Sequence, residues 1–119
     1  MKYYIIAGEA SGDLHGSNLV KEIKKLDPKS KFRCWGGDLL REQSNNLVKH
    51  YKNYSYMGFY EVFTNLGKIL NNISICKKDI LEYKPDAIIY IDFPGFNMRI
   101  AKWAKSKNFI NHFYISPQL

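Results

Sequence analysis

Short β-rich runs alternate with segments of helical period along the whole chain, and that alternation limits the fold to very few topologies. Tyr3 to Ala7 is an apolar run that stops at Gly8. From Leu14 onward Leu19, Val20, Ile23 and Leu26 recur at helical spacing until Asp27-Pro28 ends the pattern. Asp13 occupies the expected N-cap of that helix. Phe32 to Trp35 reads as a second strand, Leu39 to Asn45 as a short helix, and Leu47-Val48 as the start of a third strand. Phe59, Val62, Phe63, Leu66, Ile69, Leu70, Ile73, Cys76 and Ile80 then follow the 3.6-residue period. One rod from Gly58 to Glu82 would be about 37 Å long, too long for a small sheet, so a break is expected near Gly67. Asp86 to Ile91 is the clearest buried strand. Asp92 to Asn97 reads as a turn, Met98 to Ser106 as a helix and Phe109 to Ile115 as a last strand.

The order β-α-β-α-β-α-β-α-β implies a Rossmann-like α/β domain: a parallel sheet flanked by helices. In such sheets ligands bind beyond the carboxyl ends of the strands. Gly8 to Asp13, Gly36 to Asp38, Asp92 to Asn97 and Ser116-Pro117 all fall at that edge. The site is expected there.

With 119 residues the chain suits one compact domain, and its 45% apolar content excludes wholesale disorder. No apolar run approaches the roughly 20 residues of a membrane-spanning helix, and Tyr3 to Ala7 is too brief for a signal peptide. Cys34 and Cys76 lack metal-site spacing and read as reduced core thiols of a cytoplasmic protein. A net charge of +7, from 18 basic and 11 acidic residues, favours an anionic partner. Nucleic acid is not expected, because Arg33, Arg41 and Arg99 are the only arginines and base-edge readers lean on arginine forks.

Three features carry chemistry. Gly8-Glu9-Ala10-Ser11-Gly12-Asp13 could let a ligand approach the backbone at a helix N-terminus, or could be a tight turn capped by Asp13. It is neither a Walker A loop nor GxGxxG, so a dinucleotide cofactor is not expected. Asp92, after the apolar run Ala87 to Ile91, has the setting in which a carboxylate becomes a useful general base; alternatively it caps the next helix. Met57 to Phe63 is unusually aromatic for a helix start, and fits either a core helix or an exposed patch for lipid chains or a membrane surface, with Lys68 nearby. His15, His50 and His112 show no metal-ligand spacing, and no metal is expected.

Four stretches, AGEASGDLHG (7–16), MGFYEV (57–62), KPDAIIYIDFPGFN (84–97) and YISPQ (114–118), together resemble the lipid-A-disaccharide synthase family of bacterial glycosyltransferases. Their order and spacing fit the amino-terminal domain of that family. The resemblance implies a GT-B architecture, with residues 1–119 as the acceptor-side Rossmann-like domain and a separate carboxyl-terminal nucleotide-sugar domain absent from this chain. It further implies inverting transfer from UDP-2,3-diacylglucosamine to the 6-hydroxyl of 2,3-diacylglucosamine 1-phosphate. The products would be the β-1,6 lipid A disaccharide 1-phosphate and UDP, with no cofactor.

Carried onto this sequence, the resemblance makes Asp92 the candidate catalytic base. It makes Gly8, Glu9, Ser11, Gly12, Asp13, Asn97 and Ser116 substrate-binding candidates. Phe59, Tyr60, Val62, Phe63, Leu66, Ile69 and Leu70 correspond to an apolar surface for membrane or acyl-chain contact, which implies a peripheral place on the cytoplasmic face of the inner membrane. The chain alone, with only the acceptor-side wall, is expected to lack transferase activity. The rival reading from another class is a non-catalytic nucleotide- or phosphate-binding module of flavodoxin-like fold.

Overall fold

The computed structural model describes residues 1–56 and 58–114. Five strands, β1 (Lys2–Ala7), β2 (Lys31–Gly36), β3 (Leu47–His50), β4 (Ala87–Ile91) and β5 (Asn111–Tyr114), form one sheet in the order β3-β2-β1-β4-β5. Every neighbouring pair is parallel. The helices are α1 (Ala10–Leu26), α2 (Asp38–Ser44), α3 (Phe59–Thr64), α4 (Leu66–Tyr83) and α5 (Pro94–Ser106), with a 3₁₀ turn at Tyr51–Asn53. From central β1 the chain runs outward through β2 and β3, then crosses back to place β4 on the other flank of β1. The expected Rossmann-like sheet is therefore present. Its order differs from the flavodoxin-like 2-1-3-4-5 arrangement, which removes the fold basis of the rival reading.

Because β1 and β4 are central, both faces of each must be covered, and their alternate side chains enter two separate cores. Ile5, Ala7, Cys34, Ile89 and Ile91 pack with Val20 of α1 and Leu40 of α2. Tyr4, Ile6, Trp35, Ile88 and Tyr90 pack with Ile73, Cys76 and Ile80 of α4 and with Phe96 and Ile100 of α5. The two thiols are both free and buried, one in each core, so the sheet lies between them. Burial pushes the Cys34 thiol up to about 12, and it raises Cys76 as well. Neither is a reactive thiolate at neutral pH.

A polar cluster ties the second core to the sheet. The Arg33 guanidinium donates through Nε and Nη2 to the two Asp79 oxygens at 2.7 Å each. The Tyr4 hydroxyl donates to the same carboxylate at 2.7 Å and accepts from the Trp35 indole at 2.6 Å. Nothing in the sequence spacing of these residues announces the cluster.

Several boundaries differ from the sequence expectation for local reasons. Helix α1 starts at Ala10, because Glu9 is fully extended and the Glu9 carbonyl already accepts from the Asp13 amide. The long amphipathic stretch breaks at Asn65, two residues before Gly67, where the Asn65 side chain donates to the Glu61 carbonyl and closes α3. The Asp92–Asn97 segment is mostly helix. Pro94, with no amide proton to lose, starts α5 directly.

Candidate functional site

The chain reverses direction across the sheet between β1 and β4, so the loops after these strands diverge and leave a crevice at their carboxyl ends. Asp92 and Phe93 form the β4 loop, and both hold left-handed backbone conformations, with φ of 47° and 53°. For side chains of this kind such conformations cost on the order of 1–3 kcal/mol each and persist only where surrounding contacts dictate them.

Those contacts are present. The Asn97 amide donates to the Asp92 carbonyl at 2.8 Å and to the Ile6 carbonyl at 3.3 Å, stitching the end of β4 to the end of β1. The Phe93 ring stacks on Phe96 with centroids 5.0 Å apart and meets Tyr54 at 5.9 Å. It also covers Gly8 so closely that a Cβ there would lie 2.3 Å from the ring. Tyr54, buried in turn, donates its hydroxyl to the Ala7 carbonyl. Burial holds the Tyr54 hydroxyl well above its usual range, so it remains a donor.

These contacts orient Asp92 without consuming its charge, since Asn97 bonds to its carbonyl rather than to its carboxylate. The half-buried side chain stands in the wall of a cavity of about 220 Å³ shared with Tyr90, Pro94, Met98 and Phe113. Such a carboxylate can accept a proton from a hydroxyl brought into that hollow.

The other candidate residues divide into two groups. Gly8, Glu9 and Ser11 line an open groove of about 500 Å³ with Tyr51, Lys52 and Ser55, and the Ser11 hydroxyl donates to Glu9 at 2.9 Å. That groove is a different hollow from the one containing Asp92. Gly12 and Asp13 sit inward of both hollows, while Asn97 lines the hollow of Asp92 and braces its turn. Gly12 faces the sheet: a Cβ there would meet Ala7 at 3.2 Å and Ile91 at 3.4 Å. Asp13 does not cap its own helix. Its buried carboxylate accepts from the amides of Gly37 at 2.7 Å, Leu39 at 3.1 Å and Leu40 at 3.0 Å, capping α2 across the fold. Asn97 is only 1% exposed, with its amide nitrogen committed to two carbonyls. Ser116 lies outside the described residues, as does Met57 of the aromatic stretch.

The aromatic segment is exposed. Phe59 is 90% exposed, Tyr60 78% and Phe63 67%, while Val62, Leu66 and Leu70 are also exposed and Ile69 is half-buried. A core helix would show the reverse pattern. Val62, Leu66, Ile69 and Leu70 border an apolar cavity of about 310 Å³ that reaches Tyr54, Phe93 and Phe96 of the crevice. Among the described residues, no helix is long and apolar enough to cross a membrane. Tyr54 and Phe93, which shape the crevice, were not singled out as site residues from sequence. Tyr54 has no periodic signal, while Phe93 could have been flagged by its place between Asp92 and Pro94.

Comparison with known proteins places this sequence among relatives. A family model described as lipid-A-disaccharide synthetase matches residues 3–119. The lipid-A-disaccharide synthase of Geobacter metallireducens is 44% identical over 115 residues, which is 97% of this chain and 30% of that protein. The corresponding protein of Geobacter sulfurreducens is 38% identical over the same shares, and lipid-A-disaccharide synthase 1 of Legionella pneumophila is 37% identical over 116 residues. The chain thus spans about 30% of the length of these relatives.

Proposed function

Because the chain belongs to the lipid-A-disaccharide synthetase family, we propose that its fold is the acceptor-side domain of an inverting glycosyltransferase of lipid A biosynthesis. The acceptor is 2,3-diacylglucosamine 1-phosphate and the donor is UDP-2,3-diacylglucosamine. Asp92 removes the proton from the acceptor 6-hydroxyl as its oxygen attacks the anomeric carbon of the donor and UDP departs from the opposite face. An inverting displacement needs one such base on the acceptor side. The observation that carries the reading is the placement of Asp92 at the switch point, held by two left-handed residues and the Asn97 bonds but with its carboxylate left toward a hollow.

Glu9 and Ser11 contribute polar contacts from the neighbouring groove. The exposed face of α3 and α4 meets the acyl chains and the bilayer, so the protein works peripherally at the cytoplasmic face of the inner membrane.

The test is a chimera in which residues 3–119 replace the matched stretch of the Geobacter metallireducens relative. Asp92→Asn in that chimera preserves shape and removes the base, so disaccharide formation should fall by roughly 10²–10⁴-fold. Near-normal turnover would remove Asp92 from the mechanism.

A further inference from the structure

Alongside the apolar cavity, helices α4 and α5 enclose an open groove of about 590 Å³ with a different lining. Leu70, Ser74 and Lys77 follow one another on one face of α4, and Arg99, Lys102 and Ser106 do so on the facing side of α5. The groove wall thus carries three cations and two hydroxyl-bearing residues and no acidic side chain. Among the described residues, none of Lys77, Arg99 and Lys102 takes part in an ion pair. Arg99, Leu70 and Ile73 border both hollows, so the basic groove continues directly into the apolar cavity and from there to the exposed α3.

We infer that this groove is a headgroup site for an anionic phospholipid of the bilayer, with Lys77, Arg99 and Lys102 holding the phosphate while an acyl chain enters the apolar cavity. The inference rests on the membrane-contact reading of α3 and α4 given above and adds a ligand class and the residues that hold it. Charge complementarity carries it. Concentrated cations without acidic neighbours repel one another until an anion neutralises them, and an apolar pocket beside them selects an anion attached to hydrocarbon. A juxtamembrane cation near an anionic surface strengthens binding about fivefold, so removal of all three should weaken it on the order of a hundredfold.

The experiment is vesicle co-sedimentation of the whole chain with phosphatidylglycerol-containing vesicles and with pure phosphatidylcholine vesicles. The groove variant is K77Q/R99Q/K102Q. A control variant, K21Q/K29Q/K31Q, removes equal charge at α1 and the amino-terminal edge of β2. Circular dichroism melting confirms that both fold. The expected result is strong binding of the wild type and the control to phosphatidylglycerol vesicles, with the large loss confined to the groove variant. Equal loss in both variants would reduce the effect to net charge and overturn the site. Unchanged binding by the groove variant, where Phe59→Ser/Phe63→Ser abolishes it, would overturn the site and leave the membrane reading standing. Wild-type protein that sediments with neither vesicle would overturn both.

Discussion

Replacing Phe59 and Phe63 together by Ser separates the two roles that an aromatic helix start can play, because the two roles predict opposite magnitudes. A phenylalanine side chain offers roughly 200 Å². With Phe59 90% and Phe63 67% exposed, the pair withdraws only about 85 Å² from water, worth about 2 kcal/mol at 25 cal/mol per Å². A domain of this size should then lose about 10 °C in melting temperature at most. Had both rings belonged to the core, the cost would be about 6–10 kcal/mol, comparable to the whole stability of a small domain.

The vesicle side of the ledger runs the other way. The pair presents roughly 315 Å² to solvent, and insertion of half of it into a bilayer yields about 4 kcal/mol. Its loss is roughly a thousandfold in partition. The assay is a melting curve beside co-sedimentation with phosphatidylglycerol-containing vesicles. A collapsed melting temperature with vesicle binding retained would refute the reasoning and return the helix to the core.

Other perturbations probe the scaffold. Gly12→Val should destabilise the protein by about 1–3 kcal/mol, because its methyls would push α1 away from Ala7 and Ile91, and chemical denaturation measures the loss. Asp79→Ala strands the Arg33 guanidinium and the Tyr4 hydroxyl, and urea unfolding should show a cost of about 3 kcal/mol. Stability should be full below pH 9 and decline as pH rises toward 12, since the Cys34 thiol is raised from 9.0 to about 12 in the fold and the unfolded chain releases its proton first. Cys34→Ala should remove one share of that alkaline decline in a pH series of melting curves and leave the part carried by Cys76 and the buried tyrosines. In the chimera, Asn97→Ala should lower turnover and stability together by freeing the Asp92 turn, with steady-state kinetics and melting read side by side.

Periodicity carried most of the fold because each strand and helix writes its burial into its own few residues. Ala87 to Ile91 could only be a central strand, and the apolar stripe from Phe59 to Ile80 could only be helical. Asp92 was legible for the same reason, since a lone carboxylate after an apolar strand must emerge at the sheet edge. What was not legible depends on contacts between distant parts of the chain. Asp13 looked like the cap of the helix that contains it, yet its partners are the amides at Gly37, Leu39 and Leu40. Gly12 stands between Glu9 and Ser11, which line an open groove, and Ile91, which lies on the sheet, and one step around the helix turns it to the sheet. Nor could spacing distinguish an apolar helix that is buried from one that is exposed. Period reports which face is apolar and says nothing of what covers it.

On the proposed reading, the two left-handed residues explain how a polar reaction and a lipid surface can share one sheet edge. Consecutive Cα atoms are about 3.8 Å apart, yet Phe93 lines the apolar cavity and Asp92 lines the separate hollow beside Tyr90 and Met98. A regular continuation of β4 would send successive side chains to opposite faces of the sheet, deep among the core residues. The reversal at φ of 47° and 53° instead turns them outward at the carboxyl end, one toward each opening. On the proposed reading, an acceptor whose chains lie against α3 and α4 then needs to extend past only one aromatic ring to bring its hydroxyl to the carboxylate. On that reading the strain in the turn serves to aim the carboxylate. Relaxing it, by loss of the Asn97 bonds or of the Phe93 stack on Phe96, would let the carboxylate drift while leaving the sheet beneath it intact.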